Sequence, residues 1–451
     1  MKPLSFDVRP TVESDLERII ALEKLSYPSD EVASAESLRY RQREAGAYFR
    51  TVISEDDEVI GFICGTRCET FDEASMSAHD PNGSVLGIHS VVIDKSFRRQ
   101  GLASLALKWY IDEILKASDI KEVKLIAKAP LLSLYSKQVG FEVLGLSEIT
   151  HGQDPWYDCS LPGSVEMVQV DAFSSEIFGG NPAAVVFAQG PEHWMQKVAM
   201  ENNLAETAFL ERVNGRGNTY RIRWFTPTTE VGLCGHATLA AAEALFATGR
   251  VYSEDDASTS ITFVTTNAGE LVVTKKSEDD TWLSMDLPIL SLTETAAPPA
   301  LVEALVGGSE SKDRILYCAM GPPTVPDWFV HLDTIDDLKL DDIDKLRGGH
   351  DFEVPRGVIV TSQDSTKAFD FVSRFFAPGL GIPEDPVTGS AHALLTTYWE
   401  NKLDKTPLLA KQASKRGGIL KVSTSKDRTI VQGEAVLVFK ARLFARPPSS
   451  E

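Results

Sequence analysis

"EDPVTGSAHALL", residues 384–395, is the stretch that decides the fold of the larger part of this chain. A proline, a threonine, a glycine and a serine precede an apolar run, and this order predicts a polar turn that opens a helix. One N-cap requires a single side-chain acceptor. Asp385, Thr388 and Ser390 are more polar groups than that, and the surplus indicates a turn with a second task.

A similar unit occurs roughly 155 residues earlier, where "EVGLCGHATLAAAEAL" covers residues 230–245. Both units are glycine-containing polar turns that open an Ala- and Leu-rich helix, so they predict two similar lobes that face each other. The N–H groups at such helix N-termini are suited to a substrate carboxylate. Strand-like segments such as "SITFVTT", "ELVVTKK" and "RGVIVTS" outnumber the helices here and predict an α+β architecture.

Four polar residues of this region suit proton-transfer chemistry. Glu206 lies in "NNLAETAFL" (202–210), His236 and Asp385 lie in the two turns, and Ser390 follows the second turn. Two carboxyl groups beside neutral donors fit proton abstraction next to a carboxylate and redelivery of the proton elsewhere. Each residue alone also has an ordinary explanation, namely an exposed carboxylate, a helix-start histidine or an N-cap.

Taken in order, these segments resemble the PhzF-like isomerases of phenazine biosynthesis, which have the diaminopimelate epimerase fold. The resemblance covers residues 166–446. It implies two pseudo-symmetric lobes, about 165–288 and 289–446, each a β-barrel-like sheet around a central helix, with a cofactor-independent site between them. By this resemblance Glu206 is the proton-shuttling acid/base. The other residues implied in the site are His236 and Asp385, with Asn181, Gly235, Gly389 and Ser390 holding a substrate carboxylate.

Cys234 tests one variant of this chemistry. Diaminopimelate epimerases use a pair of cysteines, one in each glycine turn. Here Cys234 occupies the first turn, but Thr388 stands in the second. A two-cysteine racemase is therefore disfavoured, and Cys234 is interpreted as a small buried residue.

The first part of the chain contains a different motif, "RRQGLA", at residues 98–103. It follows a predicted strand and opens a predicted helix. Gly101 and the small Ala103 let the backbone approach a ligand, and the N–H groups of the turn form an anion site. Arg98 and Arg99 add positive charge. On its own such a motif more often marks a basic loop that caps a helix.

In its context the motif resembles the GNAT acetyltransferases over about residues 5–160. The segments "LEKLSYPSDEVAS", "LRYRQREAGAYF", "GIHSVVIDKSFRRQGLA" and "SEITHGQDPWYD" are most similar to arylalkylamine (serotonin) N-acetyltransferases and their fungal polyamine-acetylating relatives. The resemblance implies an α/β GNAT fold, with Tyr135 as the general acid and His89 on the proton-removal path. Gly87 and Asp94 stand where the family has two further histidines. The residues implied to bind acetyl-CoA are Val91, Val92, Arg98, Arg99, Gln100, Gly101, Leu102 and Ala103.

The bulk properties agree with a multidomain enzyme. The chain has 451 residues, too many for one ordinary core, and we expect an acetyltransferase domain at 1–162 and an isomerase domain at 165–451. A net charge of -20 disfavours nucleic acid or an anionic membrane as partner, because both require a basic face. Five scattered cysteines without metal-site spacing, together with an N-terminus that has no apolar signal-peptide core, predict reduced thiols in the cytoplasm.

The sequence thus predicts a bifunctional enzyme that acetylates a small amine and isomerises a small carboxylate-bearing compound. The resemblance to the PhzF-like isomerases also suggests a homodimer through that domain. Two alternatives stay open at this point. In the first, the isomerase-like half is an inert ligand-binding or dimerisation module. In the second, the acetyltransferase-like half only senses acetyl-CoA.

Overall fold

A computed structural model of the chain describes residues 6–117, 119–213, 216–252, 258–277, 280–307, 309–336, 338, 346, 354–380, 382–444 and 447. Among these residues, no helix combines the length and the apolar character needed to cross a membrane. The described residues form two separate sheets, and the chain passes from one to the other at Gly163 and Ser164.

The first sheet contains seven strands and carries three α-helices. The strands are β1 Phe6–Pro10, β2 Phe49–Ser54, β3 Val59–Cys68, β4 Val85–Ile93, β5 Glu122–Lys128, β6 Glu142–Leu146 and β7 Trp156–Pro162, and the helices are α1 Leu16–Ser26, α2 Ala35–Glu44 and α3 Leu102–Ala117. The spatial order is β1-β2-β3-β4-β5-β7-β6. Only β4 and β5 pair in parallel, because α3 forms the crossover between them.

The parallel pair opens partway along its length. β4 and β5 are hydrogen-bonded only where 85–87 face 122–124, and the strands diverge beyond that point. A bulge lies on β4 at the start of the gap, since Gly65 pairs with Ile88 and Cys64 with Ser90, which leaves His89 without a partner on β3. The divergence and the bulge create a cleft between β4 and β5.

The second sheet is a closed barrel that carries four α-helices. Its two halves have the same order of pairings. The strands are β8 Val165–Ala172, β9 Asn181–Val186, β10 Glu206–Arg212, β11 Thr219–Phe225, β12 Glu230–Val231, β13 Thr259–Val264, β14 Glu270–Lys275, β15 Trp282–Pro288, β16 Thr293–Glu294, β17 Ile315–Met320, β18 Trp328–Leu332, β19 Val358–Gln363, β20 Phe371–Ala377, β21 Ile382–Asp385, β22 Leu408–Gln412, β23 Gly418–Ser425 and β24 Arg428–Leu443. The helices are α4 Glu192–Asn202, α5 Gly235–Ala247, α6 Pro299–Val306 and α7 Gly389–Leu403.

The repeat of pairings defines two lobes. In the first lobe β9 runs parallel to β10 and β11 runs parallel to β13, with antiparallel pairs between. In the second lobe β18–β19 and β20–β22 are the corresponding parallel pairs. α5 follows β12 and α7 follows β21, so each lobe encloses the helix of one echoed sequence unit. The prediction of two pseudo-symmetric lobes around central helices is confirmed.

α3 also joins the two domains. The guanidinium of Arg250, just after α5, bonds Asp112 on α3 at 3.1 Å and Glu166 on β8 at 3.1 Å. Arg212 places its guanidinium 3.2 Å from the ring centroid of Trp109, also on α3. These contacts pack α3 of the first domain against β10 and the C-terminal end of α5 in the second domain.

Candidate active sites

The N-termini of α5 and α7 meet at the interface of the two lobes. A Cβ placed on Gly235 would lie 3.3 Å from the Cα of Gly389, and the reverse holds as well. Glycine at both positions therefore permits a close backbone approach. Two positive helix ends converge at one point, which is an arrangement that favours a bound anion.

In the first lobe, His236 contacts Glu206 on one side and Cys234 on the other. Nε2 of His236 lies 3.1 Å from Oε2 of Glu206, and Nδ1 lies 3.5 Å from the Cys234 sulfur. The Glu206–His236 contact is close but not aligned as a hydrogen bond, and neither atom has another hydrogen-bond partner among the described residues. Both groups consequently keep hydrogen-bonding capacity for a substrate.

The pKa values of His236 and Cys234 follow from the burial and the neighbours of these two side chains. Burial alone would lower the pKa of His236, but the Cys234 sulfur and the Glu206 carboxylate outweigh burial and hold that pKa well above its usual value. Burial raises the pKa of the Cys234 thiol, while the neighbouring His236 acts in the opposite direction. The ring presents different nitrogens to the two neighbours. Although ligand atoms of Glu206, Cys234 and His236 lie within 4.8 Å of one another, this orientation suits a proton relay better than one shared metal ion.

Asp385 faces Glu206 and His236 from the second lobe, and a network of hydrogen bonds holds it in place. Its Oδ1 accepts a hydrogen bond of 2.8 Å from Asn181, and its Oδ2 accepts one from the Thr388 hydroxyl. Gln412 supports the turn, since its amide donates to the Asp385 carbonyl at 2.7 Å and accepts from the Thr388 N–H at 2.9 Å. Burial raises the pKa of Asp385 to about 6, and the Glu206 charge adds to that effect. Thr388 therefore orients the carboxyl group of Asp385, which accounts for two of the surplus polar groups in the turn.

Ser390 lies in the first turn of α7 and contacts a residue that the sequence did not single out. Nη2 of Arg356 donates to the Ser390 hydroxyl at 3.1 Å, while Nε bonds the buried Asp327 at 2.8 Å. Arg356 is one isolated arginine before β19, and no spacing in the sequence marks it. Both Nε and Nη2 of Arg356 pair with the Asp327 carboxylate, and this pair holds the guanidinium beside the first turn of α7, where it can donate to a substrate carboxylate.

The second candidate site is a cavity of about 380 Å³ at the divergence of β4 and β5. Tyr135 and His89 both line it. Tyr135 lies on a π-helical turn, Leu134–Val139, and burial raises the pKa of its phenol. Val91 and Tyr27 also line this cavity; burial raises the pKa of the Tyr27 phenol, and the Val91 N–H acts in the opposite direction. Val92 is buried on the other face of β4 and pairs with Phe62.

His89 has the properties of a proton acceptor. Its Nε2 lies 2.7 Å from the Thr66 hydroxyl, while Nδ1 has no hydrogen-bond partner among the described residues. Burial lowers the pKa of His89 well below its usual value, and the nearby Arg41 and His151 lower it further. The imidazole is therefore neutral at physiological pH and can accept a proton.

Glu23 is a functional candidate that the sequence analysis missed. It is only 2% exposed and lines the same cavity. Its Oε1 accepts from the Ala33 N–H at 3.0 Å, but its Oε2 is buried without a partner among the described residues. Burial raises the pKa of this carboxyl group. In the sequence Glu23 looks like one more polar position on α1, and nothing there indicates that it points into the cleft.

The predicted acyl-CoA turn lies between β4 and α3. Arg99 and Gly101 have left-handed backbone conformations, with φ of 63° and 74°, and a Cβ on Gly101 would meet nothing within 4 Å. The turn is thus open to a ligand. The Arg98 side chain donates to the Ile93 carbonyl at 2.7 Å and to the Ser26 hydroxyl at 2.9 Å, so it anchors the turn to β4 and α1. Gln100 is exposed, Leu102 is buried and Ala103 is partly buried.

Two enzyme classes are thus defined by fold and site. The barrel of two lobes, with facing helix ends and two carboxyl groups, is that of a diaminopimelate epimerase-like isomerase, and the opened mixed sheet is that of a GNAT acetyltransferase. Residues 170–441 match the family described as "Phenazine biosynthesis-like protein", and residues 16–141 match the "Acetyltransferase (GNAT) family". The chain belongs to the phenazine biosynthesis-like family and carries an additional GNAT acetyltransferase domain.

Individual relatives agree with this assignment. An uncharacterized isomerase from Halalkalibacterium halodurans is 40% identical over 286 residues, which are 61% of this chain and 97% of that protein. The human phenazine biosynthesis-like domain-containing protein is 36% identical over 293 residues, with 61% and 97% covered. The crystal structure of a PhzF family protein from Enterococcus faecalis has 38% identity and a TM-score of 0.54, and covers 62% of this chain and 99% of that one. The chain is therefore an enzyme with acetyltransferase and isomerase domains, and the first domain implies the use of an acyl-CoA.

Proposed function

We propose that the protein is bifunctional: the first domain acetylates a small amine, and the second isomerises a small carboxylate-bearing compound by moving a proton through Glu206. The observation that carries the second half is the convergence of Glu206 and Asp385, one from each lobe, on two facing helix N-termini. The helix ends and Arg356 bind the substrate carboxylate. Glu206 then removes a proton from carbon.

The other groups divide the remaining work of the isomerisation. His236, whose Nε2 lies 3.1 Å from Oε2 of Glu206, positions that carboxyl group for the proton transfer. Asp385, with a pKa of about 6, is poised to give or take a proton near neutral pH. The removed proton returns to another carbon of the same molecule, so the reaction is a redistribution of one proton and one double bond and needs no oxidant.

For the first domain the supporting observation is the cavity between β4 and β5. The bound acyl-CoA supplies an acetyl thioester at this position. The Val91 N–H polarises the thioester carbonyl. His89 accepts the proton that the amine loses as its nitrogen bonds the acetyl carbon. Tyr135 gives its proton to the departing thiolate as the carbon–sulfur bond breaks.

The amine is an arylalkylamine or a polyamine, and features of the cavity suit each of them. Glu23 offers an unused carboxylate oxygen to a cationic amine, which favours a second positive group on the substrate. Tyr27 and Trp156 line the same cavity and offer aromatic surface. An assay of both amine classes distinguishes these two alternatives.

Two assays of the full chain test the proposal. For the isomerase, incubation in deuterated water with amino acids, acetylated amines and cyclohexadiene-type acids should lead to deuterium uptake, detected by mass spectrometry. Glu206→Gln should reduce uptake by about 10²- to 10⁴-fold, whereas Glu201→Gln, an exposed glutamate on α4, should leave it unchanged. Uptake that survives Glu206→Gln would refute the shuttle, and no uptake with any compound would favour an inert binding module.

For the acetyltransferase, thiol release from acetyl-CoA should depend on the added amine. Tyr135→Phe should slow it by about 10²-fold or more, because the phenol is the proton donor. Tyr40→Phe on α2 is the control. Acetyl-CoA binding without any amine-dependent thiol release, unaltered by Tyr135→Phe, would instead identify a domain that senses acetyl-CoA.

A further inference from the structure

A cavity of about 500 Å³ lies between the two domains, next to the predicted acyl-CoA turn. On the first-domain side, Gly101 and Ser104 line it at the start of α3. On the second-domain side the wall is formed by the last turns of α5, through Glu243 and Phe246, and by the end of β14, through Lys275. The cavity therefore belongs to both domains.

The first-domain wall has the properties of a phosphate site. Gly101 has its open left-handed conformation there, and the first N–H groups of α3 have no intrahelical acceptor. A helix N-terminus of this kind favours the negative charge of a diphosphate. The nucleotide end of an acyl-CoA carries such a group, together with a further phosphate, a ribose and an adenine.

The second-domain wall offers one cation at the right place. Lys275 is partly buried at the end of β14, and its ammonium lies 5.5 Å from the ring centroid of Phe246. Among the residues that the structure describes, it forms no ion pair with a carboxylate. A cation held over an aromatic ring and lining a cavity is available to an anionic ligand.

Two features of the second-domain wall carry negative charge, which by itself would disfavour a phosphate. The C-terminal end of α5 carries exposed carbonyl groups, but Lys108 of α3 donates to the carbonyls of Thr248 and Gly249 and neutralises them. Glu243 is the second feature. Burial raises the pKa of Glu243 to about 7, while Lys275 acts in the opposite direction. A carboxyl group in this state can bond a ribose hydroxyl or an adenine amino group, and both occur in the same ligand.

We propose that the isomerase domain completes the acyl-CoA site of the acetyltransferase domain, with Lys275 binding a phosphate and Phe246 and Glu243 contacting the nucleoside. The proposal rests on the acetyl-transfer function proposed above. It has a structural consequence. α5 carries His236 in its first turn and Glu243 with Phe246 toward its end, so one helix lines the isomerase site and the acyl-CoA site.

The test is the binding of coenzyme A to the full chain by isothermal titration calorimetry. Lys275→Ala should weaken the affinity for coenzyme A by about tenfold or more, since it removes a charge-assisted contact with phosphate. Lys276→Ala is the matched control, because Lys276 is the exposed neighbour outside this cavity. Circular dichroism and the thermal midpoint should be the same for both variants.

A second probe separates a local effect from a general one. S-acetylpantetheine carries the thioester but no nucleotide, so its kcat/KM as acyl donor should be equal in Lys275→Ala and in the wild-type chain. Equal coenzyme A affinity in all three proteins would overturn this proposal and leave the acetyltransferase function standing. A parallel loss with S-acetylpantetheine would also overturn it. Failure of the wild-type chain to bind coenzyme A would overturn both.

Discussion

The ion pair between Glu206 and His236 can be tested without knowing the substrate. Glu206→Gln keeps the shape of the side chain but removes its negative charge. The charge lies 3.1 Å from Nε2 of His236 in a buried site. At an effective dielectric constant of about 20, two unit charges at that distance attract by about 5 kcal/mol, which is an upper limit for the net effect. An opposite charge so close typically shifts a pKa by about 1 to 3 units.

The pKa of His236 should therefore fall by about 1 to 3 units in Glu206→Gln. The measurement is a histidine titration by heteronuclear NMR in the absence of ligand, with His236→Asn to assign the signal. Since the folded-state pKa is raised, protonation of His236 stabilises the wild-type fold below the unfolded pKa. This contribution is lost as pH rises through the folded pKa. The variant should lose it at a correspondingly lower pH.

A shift of less than about half a unit, or about 0.7 kcal/mol, would refute the reasoning. It would mean that the imidazole does not sense the Glu206 charge, and that the two groups do not act as one acid–base pair. Glu201→Gln should leave the titration of His236 unchanged. A shift of similar size in that control would point to a long-range charge effect instead.

Three further predictions concern the site and the domain interface. The pKa of Asp385 is raised from 3.8 to about 6, so the free energy of unfolding should fall by up to about 3 kcal/mol as the pH rises from 4 to 6. Urea unfolding measures this profile, and Asp385→Asn should flatten it between these two pH values. Gly389→Ala should cost about 1–3 kcal/mol, because its methyl group meets Gly235. Gly232→Ala should change the thermal midpoint little, since its methyl group would meet only the Asn267 side chain at 4.0 Å. Equal midpoints for both variants would contradict the close approach. Arg250→Ala removes a buried guanidinium from Asp112 and Glu166, whose side chains are 31% and 32% exposed, and should destabilise the chain by about 1–3 kcal/mol. An unchanged free energy of unfolding would show that the domains do not depend on this contact.

The echoed turn-helix units were enough to predict the lobes, because a glycine turn before an Ala-rich helix has the same local geometry wherever it occurs. Glu206, His236 and Asp385 were selected by a family resemblance together with their chemistry. The structure brings all three to the meeting point of α5 and α7. Their roles stay predictions until the variants above are measured.

Arg356, Glu23 and Lys275 could not be found in this way. Each belongs to a short segment with no distinctive spacing, and each becomes a candidate only through residues far away in the chain. Arg356 meets Ser390 and Asp327, and Lys275 shares a cavity with Gly101 of the other domain. Such neighbours are set by the closure of the barrel and by the packing of α3 against α5.

The sequence by itself determined the local elements, because periodicity and turn chemistry act over short distances. The two enzyme classes and their site residues followed from the resemblance of its motifs to known families. Only the tertiary structure decided which charges are buried together, which polar atoms have no hydrogen-bond partner and which cavity is lined by both domains. The physical reason is that burial, and with it pKa and hydrogen-bonding capacity, depends on every element packed around a group. A distance of 3.1 Å between Glu206 and His236 is a property of the folded first lobe, which brings β10 and α5 together, and not of either segment.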